Sequence, residues 1–81
     1  MSLGSIKSKI KKLHQTNPNI HINVSMTNPK IHLKNEAVTI KSVYPHIFQI
    51  EENSTGVTKS HTLQYTDVLM KHIEILELES M

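Results

Sequence analysis

The 81-residue sequence contains no cysteine, which excludes a disulfide framework and a zinc site built on thiolates. A secreted domain of this length usually depends on such cross-links, so we expect a cytoplasmic protein. Only two glycines occur, Gly4 and Gly56, which excludes a glycine-rich phosphate-binding loop. No apolar run approaches the roughly 20 residues of a membrane-spanning helix, and no signal peptide is expected because the first lysines are not followed by an apolar segment.

Arginine is absent, and only three aromatic residues are present: Tyr44, Phe48 and Tyr65. Sequence-specific nucleic-acid binding draws on arginine for bidentate contacts to bases and on exposed aromatic rings for stacking. Catalysis has equally little support, because no Gly-x-Ser-x-Gly motif surrounds a serine and Glu51-Glu52 is predicted to be solvated at a strand end. We therefore expect a protein that is not an enzyme and that needs no cofactor.

A chain of this length closes a single core, and residues 1–81 are predicted to form one domain. Only about 60% of the unfolded surface is buried at this size, so stability is expected to be modest. Residues 1–3 are compatible with a vector-derived start and do not contribute to these predictions.

Positive charge is concentrated in the first half of the chain. Residues 1–43 carry seven lysines and one acid, whereas residues 44–81 carry two lysines and six acids, which gives net charges of +6 and −4. Such asymmetry is typical of a protein with an anionic partner. The alternative is that the two halves attract each other within the fold. The candidate partner- or anion-binding residues are the lysines of the first half: Lys7, Lys9, Lys11, Lys12, Lys30, Lys34 and Lys41.

A short N-terminal helix is predicted over residues 5–14, SIKSKIKKLH. Ile6, Ile10 and Leu13 recur at the i, i+4, i+7 spacing of one apolar stripe, and lysines cover the other faces. Ser5 is the predicted N-cap, and the Thr-Asn-Pro-Asn sequence that follows ends the helix because proline cannot donate the required hydrogen bond. A helix this short is marginal alone, so its stripe must pack on another element.

From residue 20 onward apolar residues alternate with polar ones, which is the pattern of half-buried strands. A change of phase near Asn35-Glu36-Ala37 leaves two alternatives, a β-bulge in one long strand or a second hairpin. The bulge is favoured because the segment lacks glycine. Thr27-Asn28-Pro29 and Asn53-Ser54-Thr55-Gly56 are predicted turns. The five predicted strands lie near 19–26, 30–43, 46–51, 57–64 and 72–78.

Two further segments are interpreted as structural turns. Tyr44-Pro45 closes the second strand, since proline fixes φ and holds the preceding residue extended. Tyr65-Thr66-Asp67 begins a single helical turn before the last strand, and Asp67 is expected to cap it by accepting hydrogen bonds from nearby backbone amides. The last strand is predicted to bury its aliphatic residues and to point its glutamates at water: Ile73, Ile75, Leu76 and Leu78 against Glu74, Glu77 and Glu79.

One short helix followed by five short strands predicts a mainly β protein. Closing so small a sheet removes the edges that it would otherwise expose. The expected architecture is therefore a small five-stranded barrel of the SH3-like or Sm-like kind, with the helix over one open end. Around Tyr44-Pro45 the alternation leaves open whether Phe48 or its neighbours on both sides belong to the core.

Two segments carry a family resemblance: VYPHIFQI at 43–50 and LQYTDVLMKHIEI at 63–75. They resemble the Veg family of small Gram-positive bacterial proteins, with its Tyr-Pro strand and its Tyr-x-Asp-aliphatic-Leu segment before a last strand. The N-terminal IKSKIKKL is similar to the opening helix of that family. The resemblance implies an SH3-like barrel, no known catalytic activity and a regulatory association with biofilm formation.

The sequence departs from the family pattern at one hairpin tip. The family usually has a basic Gly-Arg-Lys tip between its first two strands, and here Asn28-Pro29-Lys30 stands in that place. A role of this tip in binding an anionic partner is therefore not carried over to this chain.

Six histidines raise the question of a metal site: His14, His21, His32, His46, His61 and His72. They form no i, i+4 pair on a helix and no H-E-x-x-H motif, and a zinc site needs three or four convergent ligands. His21 and His32 are predicted to lie on neighbouring strands across the hairpin, but outward-facing strand residues are the better account of these histidines, so we expect no metal. His61 shares its phase with Val57 and Leu63 and is predicted to be a partly buried, hydrogen-bonded core histidine.

The predicted function is that of a non-catalytic regulatory module that binds another protein through a groove or a strand edge. The alternative is a small barrel that binds nucleic acid weakly and without sequence preference through its lysine-rich half. No membrane partner is expected, and the sequence leaves the oligomeric state open.

Overall fold

The computed structural model describes residues 2–27, 30–53 and 58–79. In these residues the elements are, in chain order, α1 Leu3–Thr16, β1 Asn19–Thr27, β2 Lys30–Val43, β3 Ile47–Glu52, β4 Lys59–Gln64, α2 Tyr65–Leu69, β5 Ile73–Ile75 and α3 Leu76–Glu79. The predicted helix and the first four predicted strands are confirmed, with small differences at their ends. The predicted turn residues Asn28-Pro29 and Ser54-Thr55-Gly56, and the predicted strand start at residue 57, lie outside the described residues.

Helix α1 begins before the predicted cap, because Ser2 and not Ser5 is its N-cap. The Ser2 hydroxyl oxygen accepts a hydrogen bond from the Ser5 backbone amide at 3.2 Å, which satisfies one of the free amides of the first turn. At the other end the Asn17 amide donates to the Leu13 carbonyl oxygen at 2.7 Å. The apolar stripe is buried as predicted: Ile6, Ile10 and Leu13.

The five strands form one antiparallel sheet in the order β4-β3-β2-β1-β5. Within the described residues β4 and β5 are both edge strands, so the sheet is open and the expected closed SH3-like or Sm-like barrel is not confirmed. The connection between these edges is α2, whose Tyr65 and Val68 are buried. Between β4 and β5 the core is therefore covered by α2 and not by hydrogen bonding between the two strands.

The buried apolar side chains form one cluster to which α1, all five strands and α2 contribute. Ile10 of α1 and Tyr65 of α2 both belong to it, and α1 packs against β2 and α2. No helix in the described ranges is long and apolar enough to cross a membrane.

Strand β2 is continuous and carries a β-bulge, as predicted in preference to a second hairpin. The register with β1 shifts between Ile22 and Val24, so β2 has one extra residue opposite Asn23. Asn35 adopts the left-handed conformation at φ 49°, which asparagine tolerates better than most residues. The Asn35 amide donates to the Asn23 side-chain oxygen at 2.6 Å, and this hydrogen bond holds the bulge.

A second register shift in β2, between Ile40 and Ser42, places another extra residue at Lys41. Beyond it, Phe48 faces the core with a side chain that is 0% exposed, whereas its neighbour Ile47 is half-buried. Neighbouring strand residues point to opposite faces of a sheet. The structure therefore assigns Phe48 to the core, a choice that the alternation of the sequence leaves open.

The predicted last strand over 72–78 is wrong beyond Ile75. Strand β5 has only three residues, and α3 follows at once as a helical turn. Ile75 and Leu78 are both buried, which residues three apart achieve on a helical turn but not on a strand. The change of apolar phase between Ile75 and Leu76 marks this transition.

Where β5 ends, the side chain of Glu77 takes the place of a backbone hydrogen-bond partner for β1. Its carboxylate accepts a hydrogen bond from the His21 backbone amide at 2.8 Å and contacts His21 Nδ1 at 2.8 Å. The expectation that Glu77 faces water is therefore wrong. Partial burial raises the pKa of Glu77, but the hydrogen bonds from the His21 side chain and backbone outweigh it and leave the pKa below its ordinary value.

Glu77→Gln is expected to lower the free energy of unfolding by about 1 kcal/mol near neutral pH, because a neutral amide replaces a charged acceptor. Since the pKa is depressed in the folded state, the Glu77 carboxylate stabilises the protein above the ordinary value of 4.5. That contribution is lost as the pH falls through the folded-state pKa. Urea unfolding at about pH 7 and about pH 3.5 should therefore show a difference between variant and parent that shrinks on acidification.

Glu36→Gln is the control for this experiment. Glu36 is a half-buried carboxylate to which the described residues offer no hydrogen bond. If both variants show the same dependence of stability on pH, the contact between Glu77 and His21 does not stabilise the fold.

Candidate partner-binding surface

The four candidate lysines of α1 lie on two flanks of the helix. Successive helical residues are turned by about 100° around the axis. With Ile10 facing the core, Lys7 and Lys11 lie on one flank and Lys9 and Lys12 lie on the other. The helix therefore does not present its positive charge as one patch.

The three candidate lysines of β2 are dispersed along the strand. Lys41 Nζ pairs with Glu51 Oε2 at 2.7 Å, and this hydrogen bond and charge raise the pKa of Lys41. Lys34 lies with Lys71 in a separate depression of about 320 Å³, and Lys30 is exposed where β2 begins. The ion pair of Lys41 with Glu51 thus joins the basic and acidic halves of the chain, as the intramolecular alternative predicts.

The connection between β2 and β3 is a tight loop over residues 44–46. The Tyr44 amide donates to the Ile47 carbonyl oxygen at 2.9 Å, and the Tyr65 hydroxyl donates to the Tyr44 carbonyl oxygen at 2.6 Å. The two segments that carry the family resemblance therefore contact each other here. The backbone of Tyr44 holds the turn as predicted, while its side chain is left 46% exposed.

Tyr65 connects this loop to the core and to α1. Its ring is stacked on Phe48, with ring centroids 5.4 Å apart. Lys7 Nζ lies 5.9 Å from the centroid of the same ring, within the range of a cation–π contact. Burial raises the pKa of Tyr65, so its hydroxyl stays protonated and remains a donor.

Tyr65→Phe is expected to lower the free energy of unfolding by about 1–2 kcal/mol, since it removes one hydrogen bond and leaves the Tyr44 carbonyl oxygen without its donor. Chemical denaturation of the variant and the parent measures this difference. Tyr44→Phe is the matched control, because the Tyr44 hydroxyl makes no hydrogen bond in the described residues, and a change within about 0.5 kcal/mol is expected. Equal losses in the two variants would contradict the anchoring role of Tyr65.

A groove of about 430 Å³ runs between α1 and the loop over residues 44–46. Lysine and histidine side chains of α1 line one side, and Tyr44 and Pro45 line the other. We call it the α1 groove and define it by all of its lining residues: Lys7, Ser8, Lys11, His14, Gln15, Val43, Tyr44, Pro45 and Tyr65.

The lining of the α1 groove is basic, because Lys7 and Lys11 line it and no carboxylate of the described residues does. His14 adds a ring whose Nε2 lies 3.2 Å from the Lys41 carbonyl oxygen. The exposed Tyr44 ring and Pro45 provide an apolar wall opposite the two ammonium groups. Charge attraction and apolar contact are thus available side by side.

Three histidines contact carboxylates, and no group of three or more potential metal ligands is found in the part of the chain that the structure describes. His61 is partly buried and lies 2.6 Å from Glu52, which confirms its predicted partial burial and hydrogen bond, but it is not one of the described core residues. The sequence predicts that Glu52 is solvated, and the contact with His61 shows that its carboxylate is instead paired. The three pairs are His21 with Glu77, His61 with Glu52, and His72 with Asp67.

The predicted capping role of Asp67 is wrong. Helix α2 is preceded by Gln64, which makes no side-chain cap hydrogen bond, and Asp67 lies inside the helix. The Asp67 carboxylate lies 3.4 Å from His72 Nδ1. The main chain closes the turn, because the His72 amide donates to the Asp67 carbonyl oxygen at 2.9 Å.

The sequence identifies Lys7 and Lys11 as candidate residues but assigns Tyr44 and Pro45 only to a turn. The signal for a further role is an aromatic residue directly before proline, which places a ring on a stiff, exposed loop. No local pattern indicates that α1 approaches this loop. The groove is therefore a product of tertiary packing.

Comparison with known proteins places the chain in a family. No curated protein and no solved structure matches it. A family model described as biofilm formation stimulator VEG matches residues 1–76, which include all five strands and every residue of the α1 groove. The chain therefore belongs to the family of the biofilm formation stimulator VEG.

Proposed function

We propose that this protein is a cytoplasmic, non-catalytic regulatory module that acts in biofilm formation by binding another protein. The family name supports the connection with biofilm formation. The binding proposal is carried by the α1 groove, where Lys7 and Lys11 lie across from the exposed Tyr44 and no carboxylate of the described residues is in the lining. The partner segment that suits this surface is acidic.

A protein partner suits the distribution of charge better than nucleic acid does. Nucleic-acid binding relies on a track of cations along a phosphate backbone and on stacking rings. Here Lys41 is paired with Glu51, Lys34 lies in a different depression, and the chain has no arginine. A groove with two lysines and one exposed ring matches a short acidic segment.

The test is photo-crosslinking in cells with p-benzoylphenylalanine in place of Tyr44. We expect a protein adduct that survives nuclease treatment. Lys7→Glu combined with Lys11→Glu should reduce the adduct roughly tenfold, which corresponds to about 1.4 kcal/mol of binding free energy. Lys9→Glu combined with Lys12→Glu makes the same change of charge on the other flank of α1 and should leave the adduct intact.

Two results would overturn this proposal. One is an adduct at position 44 that nuclease removes, which would support sequence-independent binding of nucleic acid. Affinity for duplex DNA should then fall with the logarithm of salt concentration, with a slope of about −0.9 for each phosphate contact. The other is equal crosslinking from the exposed Thr62 of β4, which would show that the α1 groove has no special role.

A further inference from the structure

The α1 groove continues toward the start of α1. An adjoining depression of about 240 Å³ shares Lys7, Pro45 and Tyr65 with it and adds Leu3 and Ile47 to the lining. Since three residues line both depressions, the two depressions adjoin each other beside α1. We call the two depressions together the extended channel.

The two ends of the extended channel differ in chemistry. At the start of α1, Leu3 is 37% exposed and lies with the half-buried Ile47 in the lining. Toward the end of α1 the channel is lined by Lys11 and His14. A ligand that fits both ends needs an apolar group at one end and negative charge at the other.

The spacing along α1 sets the spacing of those groups. Leu3, Lys7 and Lys11 follow one another at intervals of four residues, so their Cα atoms are about 6 Å apart along the helix axis. In an extended peptide, residues two apart are separated by about 6.6 Å and point to the same side. The spacing between every second side chain of an extended segment therefore nearly matches the spacing between Leu3, Lys7 and Lys11 on α1.

We propose that the partner presents an extended segment with the pattern apolar-x-acid-x-acid to the extended channel, a conclusion that rests on the proposed function. The apolar side chain contacts Leu3, and the two carboxylates pair with Lys7 and Lys11. An intervening residue between the acids is required, because adjacent acidic side chains of an extended chain point to opposite sides.

Titration of ¹⁵N-labelled protein with end-capped peptides, followed by nuclear magnetic resonance, tests the pattern. The probe peptides are Leu-Ser-Glu-Ser-Glu and its isomer Leu-Ser-Ser-Glu-Glu, which has the same composition and charge, each also in reversed order. We expect the better orientation of the spaced peptide to bind with a Kd of about 1 mM. The isomer should bind about threefold more weakly, the effect of one exposed ion pair.

Variants of α1 identify the contacts. The spaced peptide and its isomer both place a glutamate opposite Lys11, and only the spaced peptide places one opposite Lys7. Lys7→Glu should therefore abolish the advantage of the spaced peptide, whereas Lys12→Glu, on the other flank, should preserve it. Leu3→Ser should weaken both peptides alike, because each carries one leucine. Amide shifts should concentrate in α1 and residues 44–46.

Equal affinity for the two isomers, no binding of either, or an equal effect of Lys7→Glu and Lys12→Glu would overturn the pattern. These results are separable from failure of the proposed function. If the photo-crosslinker at position 44 still captures a protein through Lys7 and Lys11, the function stands and only the spacing is wrong. If it captures none, the proposed function fails.

Discussion

Phe48→Ala is expected to lower the free energy of unfolding by about 3–5 kcal/mol, the usual effect of truncating a buried aromatic ring. The Phe48 side chain is 0% exposed and is stacked on Tyr65, so the change removes both its burial and the ring contact. Native domains are stable by about 5–15 kcal/mol in total, and one of this size lies toward the lower end. The variant should therefore be largely unfolded at a temperature where the parent is folded.

Thermal and urea unfolding followed by far-ultraviolet circular dichroism measure this loss. Thr62→Ala is the control, since Thr62 is exposed on the neighbouring strand β4, and its effect should stay within about 0.5 kcal/mol. Phe48→Leu should fall between the two because it restores most of the apolar volume. A Phe48→Ala variant that melts with the parent would place Phe48 outside the core.

Ile10→Ala is expected to lower the free energy of unfolding by about 2–5 kcal/mol, the range for truncating a buried aliphatic side chain. Ile10 is 0% exposed and lies at the centre of the apolar stripe by which α1 packs on the sheet. A 14-residue helix has little stability of its own, so weaker packing should also release the helix. The ellipticity at about 222 nm should therefore fall before the sheet unfolds.

Lys12→Ala is the matched control, because Lys12 is exposed on the same helix and alanine favours helix at least as well as lysine does. Its stability should remain within about 0.5 kcal/mol of the parent. Ile10→Ala should also reduce crosslinking from position 44, since α1 supplies one wall of the groove. Unchanged stability and unchanged crosslinking would show that α1 does not depend on this contact.

The two substitutions act on opposite sides of the same junction. Phe48 is stacked on Tyr65, and Ile10 belongs to the same core cluster, so we expect both substitutions to disturb the position of the groove lysines relative to the Tyr44-Pro45 loop. The geometry of the candidate site thus depends on core packing. Binding by variants of the site should be compared only between proteins with similar free energies of unfolding.

Most secondary structure of this protein is predictable from its sequence. The spacing of Ile6, Ile10 and Leu13 predicts α1, and the alternation that starts at Ile20 predicts β1. Even the bulge of β2 is visible as a change of phase, because an inserted residue moves every following side chain to the other face. The same kind of signal at Leu76 marks the end of β5.

The groove is less predictable. Lys7 and Lys11 are among seven candidate lysines of equal standing in the sequence, and only packing distinguishes them from Lys9 and Lys12 on the opposite flank. The closed barrel is a reasonable expectation from strand count, but pairing leaves β4 and β5 at the two edges of the described sheet.

The sequence by itself determined the helix, the first four strands and the excess of positive charge in the first half of the chain. Periodicity, proline and composition act through neighbours a few residues apart, so a single sequence displays them. Only the tertiary structure decided that the sheet stays open and that the Glu77 carboxylate accepts a hydrogen bond from the His21 amide of β1. It also decided that the Tyr65 hydroxyl holds the Tyr44 backbone beside α1. These outcomes depend on contacts between residues far apart in the chain, and no local pattern encodes such contacts.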